Sequence, residues 1–423
     1  MENIKQIYDD FASLLSNEEL RRLGEKYRIV DERVRRLPIC IFFWLMVISA
    51  SIPAARGGLM QLVAFFIAAF CQLFPTQKAL SLTRMAISKK LTAHSWFFFR
   101  AVYNRLLERY VAMLHQSDRR LLSRFKEAFV VDSSVIRVNR ILEEVFKSVH
   151  KGQAALKLHA KCSIRTLVAT KVQVTESKRH DSRFRGITQE PNIMSLFDLA
   201  YFAFYRFKQI IEAGSFFVCR LKSCCDPRLV AVESRQQKHW VGKCLSDIVA
   251  SMDKNKPLDV TVQLSSVKSA QFKERFRLVG LFYEGVWRFY ITNIFDKRFT
   301  PESIYQLYKS RWGVEIFFNE IKHVLRLAHI ISKGKNGIMI EIYSALIFYL
   351  MTRIVIALSA RQTVFPRTSY SFKRTAEVVK AFLTTHIAQF FVQTKTQFVS
   401  FLRHLVEAVS DVGLRDKKYC HSP

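Results

Sequence analysis

Ala128-Phe129-Val130-Val131-Asp132-Ser133-Ser134-Val135-Ile136 is a β-branched, apolar run interrupted by one acid, and it marks where the chain changes period. Before it everything reads as helix: Ile4 to Leu15, Asn17 to Tyr27, two apolar segments, and Trp96 to Leu114. The run itself reads as a buried strand. After it, Ala155 to Ser163 and Leu167 to Thr175 alternate apolar and polar residues, which predicts strands beside the first. Ile193 to Leu199 is a short apolar run carrying a second acid, Tyr201 to Ala213 is helical, Gly214 stops it, and Ser215 to Leu221 is a further strand; together they predict a βαβ unit. From Lys222 to about Asp296 strand candidates follow without long helices (Val260 to Leu264, Phe276 to Tyr283, Val286 to Ile294), as in an inserted β module. Helix returns over Pro301 to about Ala328 and Gly337 to Ala360. The expected class is mixed α/β. Its parts are an all-helical N-terminal domain (1–124), the first part of a core (125–222), a β-rich insertion (223–296), the last part of the core (297–362) and a basic helical C-terminal region (363–423).

The whole chain sets bounds on function. Its 423 residues, 50% hydrophobic with 36 Phe, bury a sizeable core and exclude wholesale disorder. Lys plus Arg number 66 against 35 Asp plus Glu, a formal charge of +31 that opposes compaction unless an anionic partner offsets it. Nucleic acid is the default partner, bound through counterion release. The eight cysteines form no CxxC pair, so no zinc site is expected, and scattered apolar-flanked thiols point to a reducing compartment, the cytoplasm. The opening MENIKQIYDDF carries no secretory signal. Three apolar stretches raise the membrane alternative. Ile39 to Pro53 and Leu59 to Phe74 fall short of the roughly 18 residues a span demands, and Ile338 to Ala360 carries Glu341 and Arg353, so buried helices and no membrane are expected. Between Leu80 and Arg100, a short basic helix before an aromatic one fits a helix-turn-helix reader and an ordinary helical hairpin equally well.

Two acids sit in apolar strands. An ionised Asp132 there is costly unless a cation or metal faces it, and Asp198 in SLFDLAYF has the same setting. Each also has a structural explanation: Asp132 capping a turn through Ser133 and Ser134, Asp198 capping the helix that follows. YKSRWGVEIFFNEIK, Tyr308 to Lys322, says more. On a continuous helix with Tyr308 at zero, Arg311, Glu315 and Lys322 fall at roughly 300°, 340° and 320°, one stripe beside an apolar face of Val314, Phe317, Phe318, Ile321 and Leu325. Glu320 points elsewhere, at about 120°. A solvated Arg311–Glu315 pair is the bland alternative.

With Tyr308, Arg311, Glu315 and Lys322 spaced as Tyr-x2-Arg-x3-Glu-x6-Lys, the sequence resembles the DDE transposases of insertion-sequence family four. VVDSSVI resembles that family's first-Asp strand, RHDS (Arg179 to Ser182) its HDS stretch, and DLAYF with AGSFFVCRLK its second-Asp block; the resemblance covers about residues 125 to 360. Ala200 departs from the Gly that many relatives carry. The resemblance implies a ribonuclease H-like catalytic core interrupted by the β insertion, with Asp132, Asp198 and Glu315 holding two Mg²⁺ ions, for which Mn²⁺ substitutes. It implies that Tyr308, Arg311 and Lys322 contact DNA near the cut, and that residues 1–124 form a helical DNA-binding domain. Trp287, in the insertion, is the candidate for stacking on an extruded base, with a packing role as its alternative. His180 and Asp181 have two readings, a place near the site or, more simply, a loop turn using Asp181 and Ser182. The partners implied are element terminal repeats and target DNA, bound by a homodimer at the nucleoid of a bacterial cytoplasm. A metal-dependent nuclease on the same core and a catalytically inactive DNA-binding derivative are the alternatives.

Overall fold

The computed structural model describes residues 4–29, 37–73, 83–114, 122, 124–181, 184, 190–264, 274–385 and 395–415. Leu80 and Ser182, named above, lie outside them. Along the chain the elements are α1 (Ile4–Leu14), α2 (Asn17–Lys26), α3 (Ile39–Ser49), α4 (Leu59–Leu73), α5 (Arg84–Ala93) and α6 (Trp96–Leu114); then β1 (Glu127–Val138), β2 (Ala154–Ser163), β3 (Ala169–Glu176), β4 (Ile193–Phe197), α7 (Phe204–Glu212) and β5 (Phe216–Arg220). They continue with β6 (Arg228–Val232), α8 (Leu245–Ile248), β7 (Leu258–Gln263), β8 (Arg275–Tyr283), β9 (Val286–Thr292), α9 (Pro301–Lys309), α10 (Trp312–Asn319), α11 (Lys335–Gln362), α12 (Phe372–Thr385) and α13 (Lys395–Val412). Two compact units result. One, mostly helical, comprises Met1–Gln116, Ile136–Leu156 and Phe318–Pro423; the other comprises Ser117–Val135 and Lys157–Phe317.

The sheet has nine strands among the described residues, in the order β3-β2-β1-β4-β5-β9-β8-β7-β6. β1, β4 and β5 run parallel, and β5-β9-β8-β7-β6 continue antiparallel, so the β-rich stretch extends the same sheet. The expected βαβ unit is β4-α7-β5, ended by Gly214 at φ +65°. Glu284 and Gly285 close the β8–β9 hairpin with φ of 51° and 79°, the double left-handed turn that two-residue hairpins favour. Phe207 lies flat on Phe217 (4.4 Å between ring centres, 5° between planes) and Phe217 on Phe197 (5.9 Å, 12°). Such pairs add about 0.5–1.5 kcal/mol each beyond area burial, and here they fasten α7 to β5 and β5 to the strand that ends just before Asp198.

In the helical unit α3 is wholly buried. α11 is long and apolar enough to cross a membrane, yet 94% of its apolar window is buried inside the fold. The two charges inside its apolar stretch are matched: Glu341 pairs with Arg56, and Arg353 with Glu320 at 2.5 Å. A buried core helix needs these partners; a lipid-facing one would lack them.

Candidate active site

Strand register brings the first two acids together. Val131 pairs with Phe197 between parallel β1 and β4, so Asp132 and Asp198 are the next residues on adjacent strands, at the end where open α/β sheets place their ligands. Asp132 does not cap a turn, because β1 runs on to Val138; its Oδ1 accepts from the N–H of Ser133 at 2.7 Å. Asp198 does act as a cap, but of the 3₁₀ turn Leu199–Tyr201, accepting from Leu199 N–H at 2.7 Å.

The third acid arrives on α10, with a correction to the helical wheel. Tyr308 to Lys322 is not one continuous helix. α9 ends at Lys309, a tight turn follows with N–H groups of Arg311, Gly313 and Val314 bonded three residues back, and Glu315 lies in the first turn of α10. Ser310 and Gly313, poor helix formers, sit at this break. A π-helical turn over Glu320–Val324 then shifts the phase again, so the predicted single stripe does not extend to Lys322. Lys322 belongs to the helical unit, where burial draws its ammonium below the ordinary lysine range. Glu320 turns to Arg353 and to the Tyr349 hydroxyl, 3.0 Å away.

Arg311 organises the acids. Its Nη2 donates to Glu315 Oε1 at 2.6 Å and its Nη1 lies 3.7 Å from Asp132 Oδ2, while its Nε has no partner among the described residues. Burial works against its charge, but Tyr308, Glu315 and Asp198 together hold it above the ordinary arginine value. Tyr308 packs on Tyr290 with ring centres 4.8 Å apart, and burial, then Asp198, pushes its phenol up. Asp132 is raised to about 6, chiefly by burial, with Asp198 and Glu315 adding repulsion against the help of Ser133 N–H and Arg311. Among the described residues no three His, Cys, Asp or Glu side chains form a group that could hold a metal ion. The cation between Asp132 and Glu315 is the guanidinium of Arg311.

Asp181 takes the less simple of its two readings, a place beside the site. It accepts from Ser133 Oγ at 2.7 Å and lies 3.2 Å from Lys157 Nζ and 3.6 Å from His159 Nδ1. His159 is buried, its Nε2 2.9 Å from Thr175 Oγ1, and burial lowers it to about 4, so it is neutral at pH 7. This network grips the residue after Asp132; the RHDS stretch signalled Asp181, whereas Lys157 and His159 of β2 were not singled out. Trp287 is half-buried, stacked at 5.9 Å on Phe289 and edge-on to Phe282 at 5.5 Å.

A model of the transposase DDE domain matches residues 123–351. The chain is 26% identical over 277 residues, 64% of itself and 68% of the relative, to the "Probable transposase for insertion sequence element IS5377" of Geobacillus stearothermophilus. It is 19% identical over 391 residues, 82% of itself and 79% of the relative, to the transposase for insertion sequence element IS231F of Bacillus thuringiensis subsp. israelensis. Among solved structures, a piggyBac transposase synaptic complex with hairpin DNA is similar at a TM-score of 0.44 and 10% identity, covering 99% of this chain and 86% of that one, a likeness too loose to weigh in reading the site. Enzymes with this domain generally use divalent metal ions to cut DNA and transfer the cut strands. The domain spans more than half of the sequence, so the chain belongs to the DDE transposase family, an enzyme of DNA transposition whose partner is DNA.

Proposed function

We propose that Asp132, Asp198 and Glu315 are the catalytic carboxylates of an insertion-sequence transposase with a ribonuclease H-like core, and that they hold two Mg²⁺ ions, with Mn²⁺ as a substitute. The observation that carries this is the β1–β4 register, which aligns Asp132 with Asp198 where Arg311 also reaches Glu315. Hard carboxylate oxygens suit these ions, and the acids would close around them once Arg311, which now stands between Asp132 and Glu315, is released. Bound there, divalent ions supply Lewis acidity to the attacking and leaving oxygens of a phosphodiester.

The chain's own residues do the rest. Arg311 offers a planar fork that screens the acids and, released from Glu315, clamps a phosphate near the cut. Tyr308 orients that guanidinium, with its ring 5.8 Å from the Arg311 carbon. Lys322 adds a point charge for the DNA backbone. Trp287 is stacked on Phe289 and met edge-on by Phe282, surroundings that favour the packing role over stacking on an extruded base. A homodimer brings two terminal repeats together before target DNA is engaged, in a bacterial cytoplasm at the nucleoid.

The test is cleavage and joining of labelled DNA carrying the element's own ends, with Mg²⁺ or Mn²⁺. Wild type cuts and joins, and Glu315→Ala binds the ends but does neither. A Glu315→Ala protein that still cuts overturns the assignment. Cutting without joining by wild type marks a nuclease on the same core, and binding alone an inactive derivative.

A further inference from the structure

A groove of about 1110 Å³ in the helical unit is built from the start of α4, from α5, from the end of β1 and from the loop leading into α11. No acidic residue lines it among the described residues. Four lining residues are exposed cations: Arg84, Arg137, Lys333 and Lys335. Lys333 and Lys335 flank the N-terminus of a 28-residue helix that no side chain caps. Cations there are disfavoured by the helix dipole, by about 0.3–1 kcal/mol each, until an anion joins them.

The lining also holds buried donors that lack acceptors. Arg56 is only 5% exposed; one of its nitrogens donates to Glu341, while Nε and Nη2 have no hydrogen-bond partner among the described residues. The Ser332 hydroxyl, 6% exposed, has none either. Buried donors left unpaired cost about 1–3 kcal/mol each, a cost that an oxyanion in the groove removes.

The walls are fixed in advance. Asn336 Nδ2 donates to Leu91 O and His94 O, both at 2.7 Å, tying α5 to the start of α11, and Glu341 accepts from the N–H groups of Ile331 and Ser332 at 3.1 and 2.7 Å. From this acid-free lining, the uncapped helix and the two unpaired nitrogens of Arg56 with the unpaired Ser332 hydroxyl, we infer that the groove is a second DNA-binding site, which grips the phosphate backbone of duplex DNA irrespective of its sequence. The inference rests on DNA being the substrate, but not on which residues are catalytic.

The experiment measures binding of a labelled duplex of random sequence, containing no element end, across a salt series. The triple variant Arg137→Ala/Lys333→Ala/Lys335→Ala is compared with Arg21→Ala/Lys26→Ala/Lys373→Ala, which removes equal charge from exposed positions of the same unit outside the groove. Each lost phosphate contact lowers the slope of log K against log salt by about 0.9, so the groove variant drops it by about 2–3 and binds roughly tenfold or more weakly at 0.1 M salt. The charge-keeping set Arg137→Lys/Lys333→Arg/Lys335→Arg retains the wild-type slope. An unchanged slope in the groove variant, or an equal drop in the control, overturns the site. Cleavage of element ends by wild type, run alongside, shows whether the transposase reading stands regardless.

Discussion

Glu341 in α11 and Asp132 in β1 are both acids in apolar elements, and the fold treats them oppositely. Glu341, 1% exposed, is saturated: Arg56 and two backbone N–H groups fill its oxygens. Asp132 keeps 22% of its side chain exposed, takes one N–H from its own neighbour, and has its guanidinium at 3.7 Å, beyond hydrogen-bond reach, with two other acids close enough to repel it. An acid that only supports a fold has its lone pairs occupied. An acid left short of partners, and raised by burial with other acids beside it, is a candidate for holding a ligand.

The contrast can be broken most forcefully at the site. Asp132→Asn and Glu315→Ala should each cut cleavage by about 10³-fold or more, the scale for losing a group that steadies transition-state charge, while a gel-shift assay shows DNA still bound. Wild-type cleavage by Asp132→Asn would remove Asp132 from the comparison, and by Glu315→Ala would remove Glu315 from the proposed triad.

Stability should separate the two acids next. Glu341→Gln leaves Arg56 as a buried charge without its counter-ion, and thermal or urea unfolding should show a loss of about 3–5 kcal/mol. Asp132→Asn should stabilise instead. The folded pKa of Asp132, about 6, lies above its ordinary 3.8, so ionisation opposes folding. The cost is absent below pH 3.8, builds as pH rises through 6, and reaches roughly 3 kcal/mol above it. Urea midpoints with chelator present should therefore agree for wild type and Asp132→Asn near pH 4 and favour the variant at pH 7. A variant equally stable at both pH values would mean that Asp132 is as well matched as Glu341.

The smallest effect expected is at Asp181. Asp181→Asn loosens the grip on Ser133 without removing a proposed ligand, so activity should fall about 10- to 100-fold, the usual cost of an outer-shell partner, and recover partly at higher Mn²⁺. A loss that no metal concentration relieves would place Asp181 in the chemistry itself.

Much of this was legible in the chain. The change from period 3.6 to period 2 at Ala128, the βαβ unit around Gly214 and the buried nature of α11 all follow from local composition, because side-chain periodicity and turn residues act over a few neighbours. β6 was missed: it is a five-residue strand at the sheet's end, half-exposed and interrupted by a register shift between Leu229 and Ala231. The wheel drawn through Tyr308 to Lys322 assumed an unbroken helix, and the turn at Ser310–Arg311 and the π-turn at Glu320 broke it.

The sequence by itself determined which residues are anomalous for their surroundings: acids in strands, charges in an apolar helix, an excess of cations. Only the tertiary structure decided what each anomaly meets. Glu341 finds Arg56 some 285 residues away, Asp181 finds Ser133 across 48, and Asp132 lies beside Asp198 through the register of two parallel strands. Such pairings depend on how distant segments pack, and a buried charge's behaviour is set by the partners that packing supplies.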